Sequence, residues 1–302
     1  MLTETQLRQF QTEGCVTIPG ALLPETVTTL LQESKRMIAG LDLESHPMTK
    51  FNTGDDEESH VGDDYFLNSS DKVSFFFEPD AIDKNGRLVR EKETAINKIG
   101  HGLHFLNSEF NKATINGFNA AIASQIGFSD PRVLQSMVIC KQPSIGGKVP
   151  SHQDAEFLYT QPQSCVGFWF ALEDCTLENG CLSYVPGSHF TAPIVRRFVS
   201  GPAGTKFINP NTGQEWEGFT EQEQAVRENE SLFKTVEIPA GTLVLIHSNL
   251  IHKSERNTSA ASRYAYTFHV IEGESEYDAQ NWLQIPPNKP SGSLNFTSLR
   301  VS

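Results

Sequence analysis

From about Arg132 onward the chain abandons helical spacing for short β-branched or aromatic runs separated by glycine, proline and asparagine, and that change limits the folds open to it. Such a pattern predicts an antiparallel barrel or jelly roll. Candidate strands cover 133–141, 150–154, 165–173, 180–185, 233–238, 241–247 and 263–271. The segment before them is helical. Thr3-Glu4-Thr5-Gln6 has the form of a capping box ahead of a short helix from Gln6 to Glu13. Pro24 opens a second helix to about Ala39, with Val27, Leu30, Leu31, Ser34 and Ile38 at helical spacing. Asn107 or Ser108 caps a third, which Gly127 ends. These helices would brace one face of the sheet. The stretch Phe207 to Asn229, rich in Gly, Glu, Gln and Asn, reads as a surface excursion with one helical turn.

Inside the strand-rich part lies His152-Gln153-Asp154, followed about a hundred residues later by His252 and then Arg263. Side chains at i and i+2 of a strand leave on the same side, so His152 and Asp154 can hold one ion. Two imidazoles and a carboxylate suit Fe(II) and leave its opposite face open for a co-substrate and O2. Gln153 should point the other way, unless the strand ends there and its backbone lines the pocket. The second imidazole must come from a distant strand, and 241–247 is such a strand, with His247 at its end and His252 just past a turn. Periodicity alone does not choose between them. Arg263 favours His252, because it opens the next strand, which a hairpin through Arg256-Asn257-Thr258-Ser259 would lay antiparallel to the first. A guanidinium there can clamp one end of a dicarboxylate while the other end chelates iron. The dicarboxylate implied is 2-oxoglutarate.

With His252-Lys253-Ser254-Glu255-Arg256-Asn257 added, the pattern resembles the phytanoyl-CoA dioxygenase family of Fe(II)/2-oxoglutarate enzymes. Further matching stretches include Asn97-Lys98-Ile99-Gly100-His101, Gln135-Ser136-Met137, Glu178-Asn179-Gly180-Cys181-Leu182 and Pro186-Gly187-Ser188-His189, and the resemblance runs from about residue 4 to about residue 284. It implies a double-stranded β-helix, a cupin-like jelly roll with N-terminal and flanking helices, as one domain over 1–302 with its barrel at about 131–285. It makes His152, Asp154 and His252 the iron ligands and catalytic residues, and Arg263 the anchor for 2-oxoglutarate. Lys98, Met137, Gln153, Trp169 and Ser254 fall among the residues expected to contact the co-substrate. Halogenating relatives of this chemistry replace the carboxylate with a small residue, so Asp154 points to hydroxylation of a small organic or acyl substrate. Departures from the family lie in loops, chiefly the Thr191 to Ser231 insert and the C-terminal tail.

Other readings use the same residues. The triad would also serve a cupin-like protein that binds metal and ligand without turnover, or an interaction module that has lost activity. Arg263 and Ser254 speak against the first, because a co-substrate anchor has no structural purpose. Trp169 and Met137 also suit a plain core and Lys98 a solvated surface. His101, His104, His189 and His269 are left outside the metal set as structural histidines. Phe75-Phe76-Phe77, Phe157, Tyr159 and Phe170 offer an apolar pocket or simply core packing. Arg196-Arg197 is the one paired candidate for cradling CoA phosphates, and a surface pair is its ordinary meaning.

A net charge of −13 argues against nucleic acid or an anionic membrane as partner. Much of that charge sits in Asp55-Asp56-Glu57-Glu58 and Asp63-Asp64, read as a solvated loop able to move over the site. Five cysteines without a C-x-x-C pair suggest neither a disulfide framework nor a zinc site, and reduced thiols fit the cytoplasm. No apolar run approaches the ~20 residues of a membrane helix, and no signal peptide is recognisable. The last residues, Ser298 to Ser302, are not the Ser-Lys-Leu peroxisomal address. The sequence carries no signature of oligomeric state.

Overall fold

The computed structural model describes residues 1–50, 64–201, 204–286 and 296–300. The acidic run Asp55–Glu58, Asp63 and the last two residues of the tail lie outside them. In chain order the helices are α1 Glu4–Glu13, α2 Pro24–Ala39, α3 Asp64–Leu67, α4 Leu103–Leu106, α5 Ser108–Thr114, α6 Gly117–Gln125, α7 Ser188–Thr191 and α8 Glu221–Glu228. The strands are β1 Cys15–Ile18, β2 Val73–Phe77, β3 Ile96–His101, β4 Pro131–Lys141, β5 Val149–His152, β6 Val166–Ala171 and β7 Leu182–Tyr184. They continue with β8 Arg197–Gly201, β9 Gly204–Ile208, β10 Lys234–Val236, β11 Leu243–His247, β12 His252–Ser254, β13 Arg263–Glu272 and β14 Thr297–Ser298.

A large sheet runs β1-β11-β6-β13-β4-β3-β2, with β14 beside β4, and a smaller one runs β10-β7-β12-β5. Their strand pairs are antiparallel. The molecule is mainly β, a jelly roll with helices in the minority, as its sequence predicts.

Cross-strand pairing determines what each face of the large sheet carries, because directly paired residues share a face. Phe168, Phe170, Tyr266, Phe268 and Val138 pack outward with Leu30, Ile38, Phe110 and Ile122 of the helices in one core. Trp169, Ala171, Val244, Ile246 and Ala265 point the other way and pack with Tyr184, Val236, Cys175 and Cys181 between the two sheets. The helices thus brace the outer face, and Tyr266 ties it to α5 through a 2.5 Å hydrogen bond with Thr114.

Three expectations need correction. The helix expected over 107–127 is two, because Asn116 interrupts it. Its Oδ1 accepts from the Asn119 amide at the start of α6, while its Nδ2 donates to the Lys112 and Ala113 carbonyls at the end of α5. Asn116→Ala deletes both caps and is expected to cost about 1–2 kcal/mol, read as a lower denaturant midpoint; an unchanged midpoint would reduce Asn116 to a passive turn residue.

The hairpin expected between the strand at 241–247 and Arg263 does not form, because β6 lies between β11 and β13 and pairs with both. Residues 255–262 instead carry the chain from the small sheet to the large one. Asn257 holds that crossing by donating to Lys141 O and Ala261 O and accepting from Ser259.

The third correction concerns the insert. It contains the β8–β9 hairpin and the two-turn helix α8, started by a capping box of Thr220 and Glu223. It also packs inward rather than standing off the surface, since Arg227 is buried.

Candidate metal centre

His152 ends β5 and His252 opens β12, and these two residues face each other directly in the small sheet. Gln153 keeps an extended backbone, φ −121° and ψ 126°, so Asp154 emerges on the same side as His152 before the chain turns into a 3-10 helix over Asp154–Glu156. The ligand atoms of His152, Asp154 and His252 lie within 4.8 Å of one another, and no other such trio occurs among the described residues. Asp154 Oδ1 sits 3.4 Å from His152 Nε2 and 3.7 Å from His252 Nε2.

Each ring is oriented by its other nitrogen. His152 Nδ1 donates to Pro150 O at 2.8 Å and His252 Nδ1 to Leu250 O at 2.9 Å. That assignment leaves both Nε2 lone pairs directed at the gap, as metal ligation requires. Burial and the neighbouring His152 push the His252 imidazole down to about 4, which keeps it neutral. Burial opposes ionisation of Asp154, yet the surrounding histidines outweigh it and hold the carboxyl well below its usual range. For His152, burial is outweighed by the hydrogen bond and charge of Asp154, and its value is raised. A neutral imidazole and a carboxylate are the ligating forms.

Lys98, Met137, Trp169 and Arg263 converge from the large sheet. Met137 and Trp169 both pair with Thr267 of β13, and Lys98 pairs with Ile139 next to Met137, so all three face the space between the sheets. Arg263 has the same parity as Thr267. Its guanidinium centre lies 5.3 Å from the Trp169 ring, so the two side chains extend toward each other along the strands. Arg263 is 1 % exposed, and its Nε and Nη1 have no hydrogen-bond partner. Lys141, directly across from it, is pushed down to about 6 by burial and then by Arg263 itself, and its Nζ is taken up by the Gly147 and Glu255 carbonyls. Lys98 is buried, which drives its ammonium well below its ordinary value. Ser254 is buried and shares the parity of His252 on β12.

Gln153 points the other way, as strand alternation expects, and its side chain is not turned toward the co-substrate. Its amide donates to Ala192 O and Asn249 O and accepts from Arg227, so the side chain is committed away from the three candidate ligands.

His247 lies apart from the cluster. Its Nδ1 accepts from the Asn249 amide, and its ring packs near His189 and Phe10. His101 is bonded to Ser69, His104 to Ser136 and His189 to the Gln11 carbonyl, as structural histidines. His269 differs from these, because its Nε2 donates to Asp154 Oδ2 at 3.2 Å while Gln135 approaches its Nδ1 at 3.4 Å. Sequence reasoning missed it, although 263, 265, 267 and 269 share one parity on β13.

A jelly roll that gathers two imidazoles and one carboxylate between its sheets is an architecture suited to non-haem iron. A family model described as phytanoyl-CoA dioxygenase (PhyH) matches residues 10–265, and the chain belongs to that family. It is 42 % identical over 288 residues to the phytanoyl-CoA dioxygenase domain-containing protein 1 homolog of Caenorhabditis elegans, covering 93 % of this chain and 95 % of that one. Identity to the Bos taurus phytanoyl-CoA dioxygenase domain-containing protein 1 is also 42 %, covering 96 % and 97 % of the two chains. Among solved structures, the fold resembles SnoN, a non-heme alpha ketoglutarate dependent epimerase from nogalamycin biosynthesis, with TM-score 0.64 at 18 % identity over 99 % of this chain and 96 % of that one. It also resembles EctD from S. alaskensis, solved with bound Fe, with TM-score 0.63 at 16 % identity over 100 % and 87 %.

Proposed function

We propose that the chain is an Fe(II)- and 2-oxoglutarate-dependent dioxygenase that uses O2 to hydroxylate a small organic or acyl substrate, releasing succinate and CO2. The observation that carries this reading is Arg263. A buried guanidinium with two unpartnered nitrogens is costly unless an anion completes it, and a planar carboxylate matches its fork. Family membership and the His152-Asp154-His252 cluster support the same reading.

The donor set fits ferrous iron, which when bound supplies the redox chemistry that joins O2 reduction to decarboxylation of the keto acid. The protein's own contribution is positional. His152, Asp154 and His252 present their donor atoms from one side. Arg263 anchors the distal carboxylate, and Trp169, Met137 and the buried Lys98 border the co-substrate. The low-dielectric space strengthens the carboxylate–guanidinium pairing and keeps water from it. Asp154, where halogenating relatives carry a small residue, supports hydroxylation as the outcome.

For the substrate, Phe157 is the aromatic residue to note, its ring centroid 6.5 Å from that of His152. Phe77 and Phe170 belong to the outer core instead. Arg196 and Arg197 are already ion-paired, with Glu156 and Asp278, so this pair is not a free cradle for CoA phosphates. That favours a small organic molecule over a CoA thioester. The five cysteines are free and buried, which supports a reducing compartment, the cytoplasm; recovery of the full-length protein in a secretory fraction would contradict it. No helix of the described residues is long and apolar enough to cross a membrane.

The direct test is succinate formation by the purified protein with Fe(II) and 2-oxoglutarate, and its acceleration across a panel of candidate substrates. No succinate under any condition would overturn the proposal and favour a silent metal-binding or interaction protein. His269→Phe removes the donor to Asp154 and is expected to lower affinity for added Fe(II) by roughly 10–100-fold. Unchanged Fe(II) dependence of turnover would reduce that contact to packing.

A further inference from the structure

Gln153 lies between two candidate ligands, is fully buried, and uses its amide to join three separate stretches of chain. Nε2 donates at 2.6 Å to the carbonyl of Asn249, three residues before His252, and at 3.0 Å to that of Ala192. Oε1 accepts at 2.7 Å from Arg227 Nη2, which comes from α8 in the insert. The same Nη2 lies 2.7 Å from Glu156 Oε1, and Arg227 Nη1 donates to Ser151 O at 3.4 Å. One guanidinium therefore grips residues 151, 153 and 156 on both sides of His152 and Asp154. Glu156 is itself fully buried and is held at its other oxygen by Arg196 Nε at 2.9 Å.

The two cations are fixed in turn by the aromatic residues of the insert. Arg227 lies 4.0 Å from the Phe219 ring centroid, and Arg196 lies 4.4–4.6 Å from those of Phe207, Trp216 and Phe219. None of these groups points at the triad, yet they determine where its backbone sits. Arg227 is buried and Arg196 partly so, and a fully satisfied polar network of this kind holds the chain in one geometry.

We propose that Arg227, acting through Gln153 and Glu156, is a positioning residue that sets the spacing of His152, Asp154 and His252, so that docking of the 191–231 insert is coupled to metal retention. This rests on the metal-centre reading above. A ligand set held by outer contacts loses affinity when they are cut, typically 10–100-fold.

The test is titration of the metal-free full-length protein with Co(II), a coloured stand-in for Fe(II), together with thermal unfolding with and without the ion. Wild type should bind and Asp154→Ala should not. Arg227→Met should bind roughly 10–100-fold more weakly, with an altered visible spectrum at saturation and a smaller metal-induced rise in Tm. Arg227→Lys, which keeps the charge but lacks the fork, should recover part of the affinity. If Arg227→Met lowers Tm but keeps wild-type affinity and spectrum, Arg227 is structural only and the proposal is overturned. Should that variant not fold, Gln153→Met carries the same expected and overturning results. If wild type takes up no Co(II), or Asp154→Ala binds it equally, the metal centre itself fails and the clamp falls with it.

Discussion

Arg263→Met is expected to weaken 2-oxoglutarate binding by roughly 30-fold to several thousand-fold, the equivalent of about 2–5 kcal/mol. The size follows from burial. At 1 % exposure the guanidinium has no solvent to replace a lost partner, and without it the keto acid's distal carboxylate would be buried unpaired. Arg263→Lys should recover only part of the affinity, because an ammonium cannot offer two parallel donors to one carboxylate. The protein without co-substrate should respond in the opposite sense. There Nε and Nη1 are unsatisfied, so methionine removes a desolvated charge and the unliganded Tm should hold or rise. A binding titration and a melting curve check the two halves, and unchanged keto-acid affinity would take Arg263 out of its role.

Asp154→Ala and His152→Ala should each abolish measurable succinate formation, a larger effect than loss of any outer contact. Asp154 is the one anion of the cluster, with Oδ1 toward both Nε2 atoms and Oδ2 accepting from His269. Alanine there removes a ligand and leaves His269 without its acceptor. His152→Ala removes one of two nitrogens and leaves Asp154 to be stabilised by His252 and His269 alone. Mass-spectrometric detection of succinate, with metal content measured in parallel, decides this. Near-wild-type turnover by either variant would mean that the reaction occurs elsewhere.

How far the sequence could be read depended on what each strand faces. β4, β6, β11 and β13 carry a buried core on their outer face and announce themselves by β-branched and aromatic residues. β12 is His-Lys-Ser, three polar residues that are all buried, and no hydrophobic pattern marks it. β3 hides similarly, because Lys98 and Gly100 occupy its inward positions. His152, Asp154, His252 and Arg263 were legible as a set because their chemistry is unusual at that spacing. The partners that hold them were not. Arg227 is 73 residues beyond Asp154 in a stretch whose composition suggests solvent, and only the folded chain shows its side chain turned inward. The Arg256–Ser259 crossing was misread for a related reason: a turn sequence does not reveal whether its two strands end in one sheet or two.

That crossing bears on the length of keto acid that the proposed activity would admit. The three candidate ligands hang from the small sheet or its edge, whereas Arg263 stands on the large one. On the proposed reading, a molecule held at both ends bridges the two layers, and the gap between them acts as a gauge of its length. The thickness of that gap comes from Tyr184, Val236, Ile246 and Leu250, which pack together between the layers. Selectivity for a five-carbon diacid over its shorter or longer homologues would then be written in the stuffing of the sandwich.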